Sequence, residues 1–338
     1  MNNLLEAPGR VLSTFPFLVS PFLRLKKSGL RIVYYHKVGR EDKPYYFQGK
    51  GVAIEDLKKQ LRFLRKYFTF IDLAEALAKW ETGASLDGYF TITTDDGFRE
   101  NYTLLAPVLL EHKLSATLFI ISNCVDNADL MWRNKLIAIT RATTPDQQRE
   151  LAAACAGHFP VSALKPGEDL LRWSTRTWEM NWKEDAVNWL WKQAGMQELS
   201  SFLKEYKPYL SSEQLLELKE AGFGFGLHSQ THPYFSKLTF NEMAQEIHGC
   251  ADFLKKKLDI DSHLFSYPFG YRAASEVEEA FIDTYSGEIK MLLGIKSRLG
   301  NKTSPMFWER DLMELQYFQS MARFTLVPFA RKLKLIKV

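Results

Sequence analysis

The chain has 338 residues, 46% of them hydrophobic, which is enough for one large domain or two ordinary ones. Its 44 basic and 40 acidic residues nearly cancel, which excludes the electrostatic footprint of a nucleic-acid binder. Three cysteines (Cys124, Cys155 and Cys250) are odd in number and widely spaced, so they suit neither a disulfide framework nor a metal cluster and fit a reducing compartment.

Residues 1–29 read as an N-terminal extension. Its apolar run over 15–23 is interrupted by Pro16 and Pro21, lacks the basic start of a secretory leader, and falls far short of the ~20 residues that cross a bilayer. Arg24, Lys26 and Lys27 follow it, and the tail over 324–338 repeats the mixture with Leu333, Leu335 and Ile336 among Arg331, Lys332 and Lys334. Apolar anchors beside basic groups suit an anionic membrane surface, although both ends can equally dock on the domain. The expectation is a cytoplasmic protein with peripheral contact at the inner membrane.

The run over 30–35 predicts a strand that delivers His36 at its end. Ile54, Leu57, Leu61, Leu64 and Phe68 recur at helical spacing, with Lys59 and Arg65 outward. A strand over 68–71, a helix over 73–80 and a strand over 90–94 follow, the last running into Asp95, Asp96 and Gly97. Leu104, Leu105, Val108 and Leu109 mark the next helix; His112 continues that stripe and reads as a packed histidine. Residues 116–122 form another apolar strand. Strands that alternate with helices and are apolar throughout indicate a parallel sheet covered by helices, an α/β barrel with its chemistry at the strand C-terminal ends.

Residues 124–211 break the alternation. Six of the eight tryptophans lie there, among helical stretches near 131–142, 145–156 and 183–206. This reads as a helical insertion beside the site. Most of its indoles are expected in its core, and Trp132, which opens the insertion, is expected to line the cleft. Beyond it, a glycine-rich strand over 222–227 leads into His228 and His232. A capping box at Thr239 and Glu242 opens a long helix, and strands over 263–266 and 289–295 complete the barrel. The barrel domain spans 30–323.

Two segments carry chemistry. Neighbouring aspartates share one site only where a strand ends and the chain turns, which Gly97 permits; Asp-Gly is also ordinary turn chemistry. Histidines four apart share one side of a turn. With one carboxylate they make three protein ligands, the usual set for a catalytic zinc; the same spacing also occurs on solvated helix faces.

These segments resemble a known family. Thr93-Thr94-Asp95-Asp96-Gly97 is similar to the Thr-Phe-Asp-Asp-Gly motif of the polysaccharide deacetylases, the NodB-homology group of carbohydrate esterases. His228-Ser229-Gln230-Thr231-His232 resembles that family's His-Ser/Thr-x-x-His motif, and Ser266-Tyr267-Pro268-Phe269-Gly270 its Arg-x-Pro-Phe/Tyr-Gly motif. Tyr35-His36-Lys37-Val38 is similar to the Tyr-His-x-Val of the poly-N-acetylglucosamine deacetylase branch. The resemblance covers about residues 30–123 and 212–311.

It implies a distorted (β/α)7-type barrel and a metal-dependent hydrolase removing N-acetyl groups from an amino sugar, in a glycan or lipid-linked precursor. Asp96, His228 and His232 then hold a divalent ion, expected to be Zn²⁺ with Co²⁺, Ni²⁺ or Mn²⁺ as alternatives, and Asp95 is the general base. Tyr267, Pro268, Phe269 and Gly270 shape the substrate pocket.

The sequence departs from the pattern in three places. Thr94 replaces a phenylalanine. Ser266 stands where an arginine orients the base, for which Arg310 is the expected substitute. No late Leu-x-His supplies a general acid, and His36 is the expected stand-in. The rival readings are a deformylase or O-deacetylase on a lipid-linked sugar, and an inactive carbohydrate-binding barrel.

Overall fold

The computed structural model describes residues 29–48, 50–296 and 306–332. The membrane-surface expectation for both ends lies mainly on residues 1–28 and 333–338, outside the described ones. No helix among the described residues is long and apolar enough to cross a membrane.

Strands buried on both faces need parallel partners, and all the ladders here are parallel. β1 (Arg31–Tyr35) lies beside β3 (Tyr89–Thr94), followed outward by β4 (Thr117–Ile120), β5 (Gly224–Leu227), β6 (Leu264–Ser266), β7 (Met291–Gly294) and β8 (Phe307–Glu309). A two-residue β2 (Thr69–Phe70) pairs only with the start of β3. The sheet returns on itself through one segment. β8 pairs β7, the chain passes Arg310, and β9 (Asp311–Leu312) pairs β1. The ring is therefore a barrel whose last stave breaks at Arg310.

Helices cover the ring as their periodicity predicts. In α1 (Ile54–Tyr67) Leu57, Leu61 and Leu64 are buried. α2 (Leu73–Glu81) and α3 (Ala106–Glu111) precede β3 and β4. The predicted capping box forms at Thr239 and Glu242, opening α10 (Phe240–Leu258). α11 (Ser275–Tyr285) precedes β7. The last helix, α12 (Tyr317–Lys332), runs through the expected tail boundary at 324. Phe324 is buried, edge-on to Phe63 and Phe68, which binds this helix to α1.

Between β4 and β5 lie α4 (Trp132–Ala142), α5 (Pro145–Cys155), α6 (Leu170–Thr177), α7 (Lys183–Gln193) and α8 (Leu199–Tyr206), then α9 (Ser212–Glu220), which leads into β5. The stretch read as one helix over 183–206 is two, broken where Gly195 takes a positive φ. Trp132, Trp173, Trp178 and Trp182 form a chain of ring contacts with centroids 5.7–5.9 Å apart. The insertion returns to the barrel at 208–210. There Leu210 N–H donates to Gly97 O, Arg99 N–H donates to Pro208 O, and Tyr209 stacks on Phe98. The insertion thereby braces the loop that carries the two aspartates.

The glycines of β5 have a packing cause. A Cβ at Gly226 would lie 2.2 Å from the Phe119 ring of β4, itself fully buried. Gly226→Ala is therefore expected to lower stability by about 1–3 kcal/mol in urea unfolding, while Gly287→Ala, with open space around it, should stay within about 0.5 kcal/mol of the parent. Equal unfolding midpoints for the two variants would dismiss this account of β5.

Candidate active site

The site is assembled from strand ends. Asp95 follows β3 directly and its N–H donates to Tyr35 O of β1 at 2.9 Å. Asp96 and Gly97 both take φ of 70°, the left-handed turn that carries two adjacent carboxylates into one cavity. His228 follows β5. Ser229 (φ 68°) and His232 (φ 58°) bend the next turn back, so both imidazoles face Asp96. Glu246 of α10 pins this turn, its Oε2 accepting from Gln230 N–H at 2.9 Å and Thr231 N–H at 2.8 Å.

Asp96 Oδ1 lies 3.3 Å from His228 Nε2 and 3.2 Å from His232 Nε2, and the two Nε2 atoms are 3.2 Å apart. His228 Nδ1–H donates to Ser266 O at 2.8 Å, which fixes the tautomer and leaves Nε2 with its lone pair facing inward. Burial lowers the His232 pKa to about 4, against the pull of Asp96, so this ring is neutral at ordinary pH. Burial also opposes ionisation of Asp96, but the two imidazoles outweigh it and hold its carboxyl well below the usual range. Asp96 Oδ1 is buried and accepts no hydrogen bond. Acceptor atoms facing one another at such distances need a cation among them, and one carboxylate with two imidazoles is a donor set for a borderline-soft divalent metal. The residues fit the ion that the sequence implied.

Asp95 is held differently. Arg310 Nη1 and Nη2 donate to its two oxygens, each at 2.7 Å, with both side chains buried. Burial acts to raise the Asp95 pKa, yet the guanidinium outweighs it and keeps the carboxyl below its ordinary value. Arg310 Nη2 also donates to Ser266 Oγ at 2.7 Å, and Nε to Gly294 O at 3.1 Å. The serine at the motif's arginine position is thus a partner of the arginine that arrives from the other side.

His36 sits at the end of β1 and lines the same cavity of about 380 Å³ as Asp95, Asp96, His228 and His232. Its Nδ1 meets Glu314 Oε2 at 2.8 Å. Burial pulls the ring's pKa down, but Glu314 and the two aspartates overcome it and raise it to about 9. Glu314 was not legible in the sequence. It also accepts from Lys37 N–H and Tyr46 Oη, both at 3.2 Å. It lies two residues beyond β9, where no sequence pattern marks it.

The pocket expectations divide. Phe269 and Gly270 line the cavity, as does Tyr267, whose hydroxyl donates to Glu278 at 2.6 Å. Pro268 is buried and does not line it. Trp132 needs correction: it is fully buried and its Nε1–H donates to His232 O at 2.8 Å. It supports a histidine, and its neighbours Met131, Arg133 and Asn134 line the cavity in its place.

Barrel and site together place a cluster able to hold a cation and a separately held carboxylate at the strand ends. Residues 182–281 match the family model described as polysaccharide deacetylase, a stretch that holds both histidines and the 267–270 loop. The fold is shared with the Streptococcus pyogenes deacetylase PplD solved in complex with acetate (TM-score 0.55, 13% identity, 88% of this chain and 97% of that one). It is shared with IcaB from Ammonifex degensii (TM-score 0.54, 17% identity, 88% and 97%) and with a polysaccharide deacetylase from Bacillus cereus (TM-score 0.51, 14% identity, 87% and 67%). No curated protein matches by sequence. The likeness of this chain to polysaccharide deacetylases thus rests on residues 182–281 in sequence and on the shared barrel in structure.

Zn²⁺ added to metal-depleted protein should raise its unfolding temperature, by the equivalent of about 2.7 kcal/mol at a hundred times the Kd. His228→Ala and His232→Ala should remove that shift; if both variants kept it, the cluster would not be the binding site. A second expectation concerns Glu314. Because the folded pKa of His36 (about 9) exceeds the ordinary 6.5, their pairing stabilises fully below pH 6.5 and is lost as pH rises through about 9. Glu314→Gln should bring the His36 titration down in NMR, and an unmoved titration would show that Glu314 is not its cause.

Proposed function

We propose that this chain hydrolyses the acetamide of an N-acetylated sugar in a cell-surface glycan or its precursor, with a divalent ion, Zn²⁺ first, held by Asp96, His228 and His232. The observation that carries the reading is the convergence of three metal-facing atoms with a separately held carboxylate and a histidine paired to Glu314 in one cavity. The ion would polarise the acetyl carbonyl and bring the pKa of a water to about 7.

The protein's own groups supply the rest. Asp95, kept ionised and oriented by Arg310, takes the proton of the attacking water as its oxygen bonds to the carbonyl carbon. In the 267–270 loop Tyr267 N–H donates to Leu293 O, Gly270 N–H donates to Tyr267 O, and proline has no N–H. This leaves the Phe269 N–H to donate to the developing oxyanion. His36 gives its proton to the nitrogen as the C–N bond breaks, releasing acetate and an amine. Its pKa near 9 lies close to what protonating an amine at neutral pH requires, and the Glu314 pairing keeps the proton in place. His36 with Glu314 supplies the acid whose apparent absence favoured an inactive barrel.

Acetate release from N-acetylated oligosaccharides should be abolished by a chelator and restored by Zn²⁺. Asp95→Asn should lose turnover by about 10²–10⁴-fold while keeping the metal-dependent rise in unfolding temperature. Turnover of that variant within a few-fold of the parent would remove Asp95 as the base.

A further inference from the structure

Three carboxylates line the cavity, and each has a cation assigned: Arg310 for Asp95, His36 for Glu314, and the proposed ion for Asp96. Two further cations, Arg133 and Lys50, line the same cavity, and neither forms an ion pair with a carboxylate among the described residues. The cavity therefore carries positive charge that the protein does not balance.

Arg133 is built into place. One nitrogen, Nη1, makes all its side-chain hydrogen bonds: to Tyr234 Oη at 2.6 Å, Thr175 Oγ1 at 2.9 Å and Leu171 O at 3.3 Å. Its guanidinium carbon lies 5.4 Å from the Phe269 ring centroid and 5.7 Å from that of Trp132. Phe269 in turn meets the His232 ring at 4.3 Å, so one aromatic ring separates the guanidinium from a metal ligand. Nε and Nη2 make no hydrogen bond among the described residues. That edge of a guanidinium is the fork that takes two anionic oxygens side by side. A cation held rigidly on one nitrogen, with its fork open beside a reaction site, is organised for an anion that arrives with the substrate.

We infer that the substrate's acetylated sugar carries an anionic group close to its acetamido ring, a phosphate ester or a carboxylate, and that Arg133 binds this group with Lys50 adding charge at the cavity's exposed side. The inference rests on the deacetylase reading and narrows it. It explains why an apolar-walled cavity for a sugar holds two cations beyond those its carboxylates require.

The test uses the full chain loaded with Zn²⁺ and three N-acetylated substrates: neutral N-acetylglucosamine oligomers, N-acetylglucosamine 1-phosphate, and oligomers alternating N-acetylglucosamine with glucuronate. Acetate release from any of them addresses the deacetylase reading; the ratio of anionic to neutral kcat/KM addresses this one. The expected ratio is about tenfold or more for at least one anionic substrate, falling with added salt. Arg133→Gln should bring it near 1, chiefly through KM, and Arg133→Lys should keep part of it. Lys50→Gln, whose side chain forms no hydrogen bond or ion pair among the described residues, should lower it a few-fold and flatten the salt dependence, and it carries the test if Arg133→Gln fails to fold. Preference for the phosphate identifies a glycosyl phosphate, and preference for the uronate an acidic polysaccharide; either supports the assignment.

Calorimetric binding of N-acetylglucosamine 1-phosphate and of the uronate oligomers to metal-depleted protein reads the same interaction without turnover. Equal kcat/KM for neutral and anionic substrates, or a loss in Arg133→Gln that is the same for all three, overturns the inference. So does the absence of acetate release combined with no salt-dependent binding of either anion.

Discussion

A guanidinium buried without solvent must find an anion and enough acceptors, or the fold that buries it fails. Arg310 is such a group. It stands at the break between β8 and β9, where the last stave of the barrel stops pairing β7 and begins pairing β1. Its partners come from all sides of the ring: Asp95 and Thr93 from β3 and its end, Ser266 from β6, Gly294 from β7, with the Tyr34 ring of β1 at 4.6 Å. Barrel closure and the placing of Asp95 are therefore one event. A carboxylate whose two oxygens are both held by a fork has no rotational choice.

The second constraint is backbone geometry. Asp96, Ser229 and His232 all take left-handed backbone angles that residues with a Cβ ordinarily avoid. Such residues persist only where the surroundings over-determine them. Here the surroundings are visible. The insertion clamps the aspartate loop through Gly97 and Arg99, Glu246 pins the histidine turn, and Trp132 holds the carbonyl of His232. The helical insertion, far from the barrel in composition, is part of the device that holds the three metal-facing atoms together.

How much of this was legible follows from the range of each signal. The strands and α1 were readable because an apolar run or a helical stripe is local and repeats. Asp95, Asp96, His228 and His232 were readable because strand ends, glycine and spacing mark them. Arg310 was found by asking what replaces an arginine missing at Ser266. Trp132 was misplaced because its surroundings come from Trp178, Tyr234 and Phe269, none of them near it in the chain. Glu314 was invisible for a related reason: a glutamate after a two-residue strand has no pattern, and its meaning comes from His36 at the other end of the barrel segment. At 324 the composition changes while the helix runs on.

The His36 and Glu314 pair shows how a closed barrel joins side chains from opposite ends of the domain. In a closed ring the first and last staves are neighbours, so β1 and β9 lie side by side although they come from opposite ends of the domain. The two side chains meet at one point in space above that seam. Either stave reaches it, and a histidine on one with a carboxylate on the other produces a paired imidazole whichever stave carries which. Here β1 carries the imidazole and the residue after β9 carries the carboxylate. Topology, which makes these two chain segments adjacent, is what makes the pair available.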